Sequence, residues 1–122
     1  MKILVLGNGL LGEAICRVAA DEQRADCTVM RLIRDDCDFT DSATLESCVR
    51  NLAPDVVLNC AALSASLAFN RANDRTIGAV NRALNESILD ACVAVGVTKL
   101  ISFLPTCAIF PGERQPWTEK AF

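Results

Sequence analysis

A doubly wound α/β fold, with a parallel sheet covered by helices, is the fold class this sequence predicts. Three observations predict it. Between residues 2 and 104, short apolar runs alternate with longer amphipathic ones, the order expected of strands joined by right-handed helical crossovers. One run, residues 55–60, is apolar on both faces through Val56, Val57 and Leu58, as expected of a central parallel strand. The first run, Ile3 to Leu6, passes directly into Gly7-Asn8-Gly9-Leu10-Leu11-Gly12 and then a helical pattern. That is the strand–turn–helix context in which a G-x-G-x-x-G turn carries information.

Each glycine of this turn has its own task. Gly7 permits the tight turn, Gly9 lets the backbone approach a pyrophosphate, and Gly12 lets the helix pack close to the strand. Backbone N–H groups across Asn8, Leu10 and Leu11, with the positive end of the helix dipole, would then hold phosphates. The pattern predicts a Rossmann-like dinucleotide-binding turn. A glycine-rich turn without a ligand is the plainer alternative.

The elements follow in order. Residues 2–6 form strand one and 10–21 helix one, with Leu11, Ile15, Val18 and Ala19 on its inner side. Residues 28–33 are a β-rich run after a polar stretch. Asp41 caps a second helix that ends near Leu52, with Pro54 as its stop. Residues 61–73 lack periodicity and are expected as a loop. Ile77, Val80, Leu84, Ile88, Ala91 and Val95 recur at helical spacing, which predicts a long helix over 74–95 with Gly96 at its C-cap. Residues 99–104 are the last strand, and 105–122, with three of the four prolines, are expected as mostly loop.

Composition narrows the function. The 122 residues are 52% hydrophobic and 22% charged, which suits one domain over residues 1–122. A net charge of −3 without any Lys/Arg cluster argues against nucleic acid and anionic membranes as partners. No apolar run reaches the ~20 residues of a membrane span. The seven cysteines (Cys16, Cys27, Cys37, Cys48, Cys60, Cys92 and Cys107) are odd in number and form no C-x-x-C pair. Reduced thiols in a cytoplasmic protein account for them better than disulfides. With no histidine, neither a Ser-His triad nor a His-ligated metal site can be built, and no metal site is expected. There is also no tyrosine.

Several positions could carry chemistry. Asp35 and Asp36 lie just past strand two, where an acid binds ribose hydroxyls and favours NAD. Arg34 lies there too, and its guanidinium would receive the extra phosphate of NADP. NADP is the preferred reading, NAD the other, and a solvated charged turn the alternative to both. Cys60-Ala61-Ala62 follows the central strand at the carboxyl edge, where small residues let a cofactor pass close to the backbone. Thr106 and Cys107 follow the last strand at the same edge, and a hydroxyl there could hydrogen-bond a substrate oxygen. Asn81 and Asn85, beside the apolar stripe of the long helix, are expected to satisfy backbone groups.

Taken together, four segments carry a resemblance: the turn at 7–12, residues 34–41 (Arg-Asp-Asp-Cys-Asp-Phe-Thr-Asp), 54–62 (Pro-Asp-Val-Val-Leu-Asn-Cys-Ala-Ala) and 97–111. With Gln115-Pro116-Trp117-Thr118-Glu119, they make the chain similar to the extended short-chain dehydrogenase/reductases of the NAD-dependent epimerase/dehydratase family. Within that family it most resembles the N-terminal half of the GDP-L-fucose synthases, with the dTDP-4-dehydrorhamnose reductases close by. The resemblance implies an NADP-dependent oxidoreductase of nucleotide sugars. It implies that Gly7, Gly9 and Gly12 hold the pyrophosphate, Arg34 meets the 2′-phosphate, Asp38 and Phe39 flank the adenine, and Ala61 and Ala62 lie along the cofactor. Thr106 falls at the family's catalytic Ser/Thr.

Departures from the family pattern are specific. The turn is one residue shorter than G-x-x-G-x-x-G, Leu63-Ser64-Ala65-Ser66 replaces Val-Gly-Gly, and Ala108 stands where the family has its epimerisation cysteine, with Cys107 one place early. The family's Tyr-x-x-x-Lys pair lies beyond Phe122, so this chain alone lacks the proton donor to the substrate carbonyl. The competing readings are therefore an enzyme portion, completed by a C-terminal half that binds the nucleotide sugar, and a non-catalytic NADP(H)-binding module. A degraded remnant is a third. The apolar last strand has no covering neighbour after it, so a homo-oligomer or a partner chain is expected.

Overall fold

The computed structural model describes residues 1–22 and 25–103. Four strands, β1 (Lys2–Leu6), β2 (Thr28–Leu32), β3 (Val56–Asn59) and β4 (Lys99–Ser102), alternate with helices α1 (Leu10–Glu22), α2 (Ser42–Leu52), α3 (Leu67–Ala72) and α4 (Asp74–Val95). The strands make one sheet in the order β2-β1-β3-β4, and every pairing is parallel. This is the Rossmann-like parallel architecture that the alternation predicts. The chain leaves β1 on one side to make β2, then crosses back to make β3 on the other, so the strand order reverses between β1 and β3.

The pairing register sorts the side chains into two faces. Leu4 pairs with Met30 and Val57, Leu6 with Leu32 and Asn59, and Val57 in turn with Leu100. These residues face α2 and α4 and pack with Phe39, Leu45, Val49, Leu84, Ile88 and Ala91 in one core. Ile3, Val29 and Leu58 face the other way, toward Ile15 and Ala19 of α1.

Helix ends are set where the sequence places them. The Asp41 carboxylate accepts the N–H groups of Ala43 (3.1 Å) and Thr44 (3.4 Å) and the Thr44 hydroxyl (2.7 Å), and so caps α2. The same helix ends on Ala53 in the left-handed region at φ 47°, immediately before Pro54. Gly96, at φ 77°, closes α4, and the N–H of Val97 then reaches the Cys92 carbonyl at 2.9 Å.

Two expectations are corrected. Residues 61–73 are not all loop, because they contain α3, capped by the Ser66 hydroxyl accepting the Phe69 N–H at 3.3 Å. Six residues with Leu67 and Phe69 both exposed leave no buried stripe for periodicity to show. Helix α1 is also rolled relative to expectation: Leu11 and Val18 are exposed, and the residue it buries is Gly12. Packing of Gly12 on the β1 turn turns residues 12, 15, 16 and 19 inward instead. Among the described residues, no helix is long and apolar enough to cross a membrane. The expected loop over 105–122, with Thr106 and Cys107, lies outside the described residues.

Candidate functional site

A cavity of about 330 Å³ opens where the strand order reverses, at the carboxyl ends of β1 and β3. Gly7, Asn8 and Gly9 form one lip, and Cys60, Ala61, Ala62, Leu63 and Ser64 the opposite wall. Arg34, Asp35 and Phe39 close one end, and Leu84 of α4 lies beneath. In open parallel sheets this crevice is the usual place for a ligand. A larger groove of about 510 Å³ lies elsewhere, between the sheet and α1. Its walls are mainly aliphatic, through Ile3, Ile15, Val18, Val29 and Leu58, and the charged residues that line it, Glu22 and Asp26, carry the same sign as a phosphate. We therefore place the candidate site in the smaller cavity.

Glycines let the two walls meet. Gly7 sits at φ 104°, and a Cβ there would come within 3.1 Å of Ala61 backbone atoms. At Gly12 a Cβ would lie 2.7 Å from the Gly7 carbonyl oxygen, closer than real atoms pack. Both glycines are thus explained by the protein itself. Gly9 is different: among the described residues, a Cβ there would meet nothing within 4 Å. Its carbonyl accepts the Glu13 N–H at 3.0 Å, which makes it the residue from which α1 starts, at the mouth of the cavity.

The opposite wall is held by asparagines. Asn59, buried at the end of β3, accepts the Ala61 N–H at 3.1 Å, and its amide donates to Asn85 (3.2 Å) and Ser102 (3.5 Å). Asn81 accepts the Leu63 N–H at 2.7 Å and donates to the Leu63 carbonyl at 3.0 Å. The expected backbone-satisfying role of Asn81 is what the geometry shows. Asn59 was not singled out by sequence reasoning, although an amide ending an apolar strand is the signal for it.

Of the predicted cofactor residues, the fold brings Gly7, Asn8, Gly9, Arg34, Phe39, Ala61 and Ala62 together around this cavity. Leu10, Leu11, Gly12 and Asp38 do not line it. Leu10 is 92% exposed at the start of α1, and Gly12 lies below the turn as its packing point. The Asp38 carboxylate instead accepts the backbone N–H (2.9 Å) and hydroxyl (2.7 Å) of Thr40. Those bonds, with a smaller contribution from Arg34, hold Asp38 below the usual carboxylate range. Phe39 is 2% exposed, so it serves the core as well as the cavity end. Burial, helped by neighbouring Cys16, pushes the Cys60 thiol up, so at neutral pH the cavity holds a protonated thiol rather than a nucleophile.

A four-stranded parallel sheet with a glycine turn over its switch point defines the class: a Rossmann-like α/β protein. The family is equally definite. The pattern of the RmlD substrate binding domain matches residues 1–122, and the chain belongs to that family. A GDP-L-fucose synthetase from Naegleria fowleri, solved also bound to NADP, is 26% identical with a TM-score of 0.79 over 98% of this chain and 35% of its own. A dTDP-4-dehydrorhamnose reductase from Clostridium acetobutylicum is 27% identical with a TM-score of 0.66, covering 81% of this chain and 34% of its own. The NADP-bound GDP-mannoheptose C4 reductase of Campylobacter jejuni shares the fold at a TM-score of 0.83 and 19% identity, over 98% of this chain and 35% of its own. The likeness to GDP-L-fucose synthases is thus borne out. The chain spans about a third of the length of these structures, rather than a half.

Proposed function

We propose that this chain forms the NADP(H)-binding portion of a nucleotide-sugar oxidoreductase, of the GDP-L-fucose synthase kind, with the dTDP-4-dehydrorhamnose reductases as the near alternative. Gly9 carries the reading. The described residues fill the space around Gly7 and Gly12 but leave the space at Gly9 empty, at the lip of the switch-point cavity. A position kept bare with none of these residues against it fits a backbone that a pyrophosphate approaches. NADP in related structures supports the choice of cofactor.

Bound NADP(H) would supply the hydride chemistry. The chain's own residues bind and orient it. Backbone N–H groups of the 7–12 turn face the phosphates, with the N-terminal end of α1 behind them. Arg34 offers a guanidinium to the 2′-phosphate, while Asp35 beside it opposes that charge. Ala61 and Ala62 give the cofactor a flat backbone wall. Thr106 is proposed to polarise the substrate oxygen. No tyrosine lies among these 122 residues, so the phenol that protonates the carbonyl would come from outside them, and these residues alone are expected to bind cofactor without turning over a 4-keto sugar nucleotide.

Titration with NADPH and NADH tests this. We expect NADPH to bind more tightly by about tenfold, the size of one charge-assisted contact. Arg34→Ala should remove most of that difference. Equal affinities in the unaltered chain would contradict the assignment of Arg34 and of NADP.

A further inference from the structure

We propose that Asn81 is a positioning residue for the dinucleotide: by clamping both backbone groups of Leu63, it fixes the wall against which the cofactor rests. The inference rests on the NADP(H) reading above and adds a determinant outside the glycine turn. Its basis is geometric. Residues 60–64 form one side of the cavity, yet they belong to neither a strand nor a helix. A segment of that kind holds a shape only through its hydrogen bonds. The Leu63 N–H and carbonyl both go to the Asn81 side chain, at 2.7 and 3.0 Å. An amide can do this because it carries an acceptor and a donor side by side.

The clamp is attached to something firm. Leu84, three residues on from Asn81, is 2% exposed in the core and lies beneath the same cavity. Asn85, one turn on, accepts from Asn59, which itself holds the Ala61 N–H. One face of α4 therefore fixes the wall at two points, 61 and 63. Asn81 grips Leu63 by two bonds, whereas Asn85 acts on Ala61 only through Asn59. Asn81 does not itself line the cavity, so its effect on binding is exerted through the backbone of Leu63 and Ser64.

Two variants and one pH series test the proposal, with NADP⁺ as the probe because the oxidised form survives mild acid. Asn81→Ala should weaken NADP⁺ binding about tenfold, as expected for two lost neutral hydrogen bonds. It should also speed hydrogen exchange at the Leu63 amide. Asn81→Asp is informative even where the alanine variant folds poorly. Its protonated carboxyl can both accept from and donate to Leu63, whereas the ionised form faces the Leu63 carbonyl with a like partial charge. The ratio of its dissociation constant to that of the unaltered chain should therefore be large at about pH 7.5 and fall as pH is lowered through the range where that carboxyl takes up its proton. A purely structural asparagine would lower the melting temperature and leave that ratio flat. Unchanged NADP⁺ affinity in both variants, with faster Leu63 exchange, would overturn the inference while leaving the cofactor reading intact. An unaltered chain that fails to bind NADP⁺ would overturn both.

Discussion

On the face of the sheet covered by α2 and α4, Leu4, Leu6, Leu45 and Val57 are fully buried and Leu84 nearly so. On the face that, among the described residues, only α1 covers, Leu11 and Val18 remain 42% and 51% exposed. The strands feeding both faces are equally apolar, so among the described residues the difference comes from the layer above: two helices over one face, and over the other a single helix rolled by its contact at Gly12. Two helices close one side, and a single helix leaves a groove on the other. An apolar residue acts as core only when a second layer covers it. That distinction orders the mutational effects.

The closed face should give the largest one. Leu84→Ala removes a side chain from a packed core and is expected to cost ~2–5 kcal/mol. Val18→Ala, on the open face, should cost less than ~1 kcal/mol. Urea denaturation measures both, and similar losses would show that the open face is covered in solution.

Gly12→Ala comes next. Its new methyl would press on the Gly7 carbonyl oxygen at 2.7 Å, and a backbone oxygen cannot swing away as a side chain would. Overpacking of this kind costs ~1–3 kcal/mol, and a melting temperature equal to that of the unaltered chain would break the close-packed picture of the turn.

The open face should also associate. Val18 and Phe103 leave apolar surface exposed, and β4 is an edge strand among the described residues. We expect sedimentation at micromolar concentration to show species larger than the monomer, and Val18→Asp to shift them toward it. A monomer before mutation would show that this face is tolerated bare.

Titration gives a smaller handle on the closed side. Burial first, then the neighbouring Cys48 thiol, pushes Cys37 from its ordinary 9.0 up to about 12, and burial also raises Cys92. A thiol raised on folding stabilises the fold below its unfolded value, and that contribution is lost as pH rises above 9. Asp41, held low by its bonds to Thr44 and Ala43, behaves in the opposite sense: its contribution is present above the unfolded range and fades as pH falls through the folded value. Urea midpoints should therefore fall from pH 9 to 10.5 and again below about pH 4. A flat alkaline limb would remove the thiols from the account.

Much of this was legible in the sequence because local signals agree with the global fold. Asp41, Gly96 and the period of α4 each fix an element end or face by short-range chemistry, and all three stand where the sequence puts them. What could not be read depends on contacts distant in sequence. The roll of α1 follows from Gly12 meeting Gly7, α3 hides because it buries no stripe, and the Asn59–Asn85 and Asn81–Leu63 bonds span 26 and 18 residues. The Asp38 carboxylate is engaged locally, by Thr40 two residues later, and Asp38 does not line the cavity.

Gly9 stands in contrast to Gly7 and Gly12, and Gly9→Ala tests the dinucleotide assignment most directly. Gly9 has no positive φ and, among the described residues, no atom near its missing Cβ, so the fold should lose less than ~1 kcal/mol, mostly from a poorer helix cap. NADPH affinity, measured by titration on the same folded sample, should fall by at least tenfold because the methyl stands where the pyrophosphate comes closest. A Gly9→Ala variant that melts like the unaltered chain and binds NADPH equally well would contradict the assignment of this cavity to a dinucleotide.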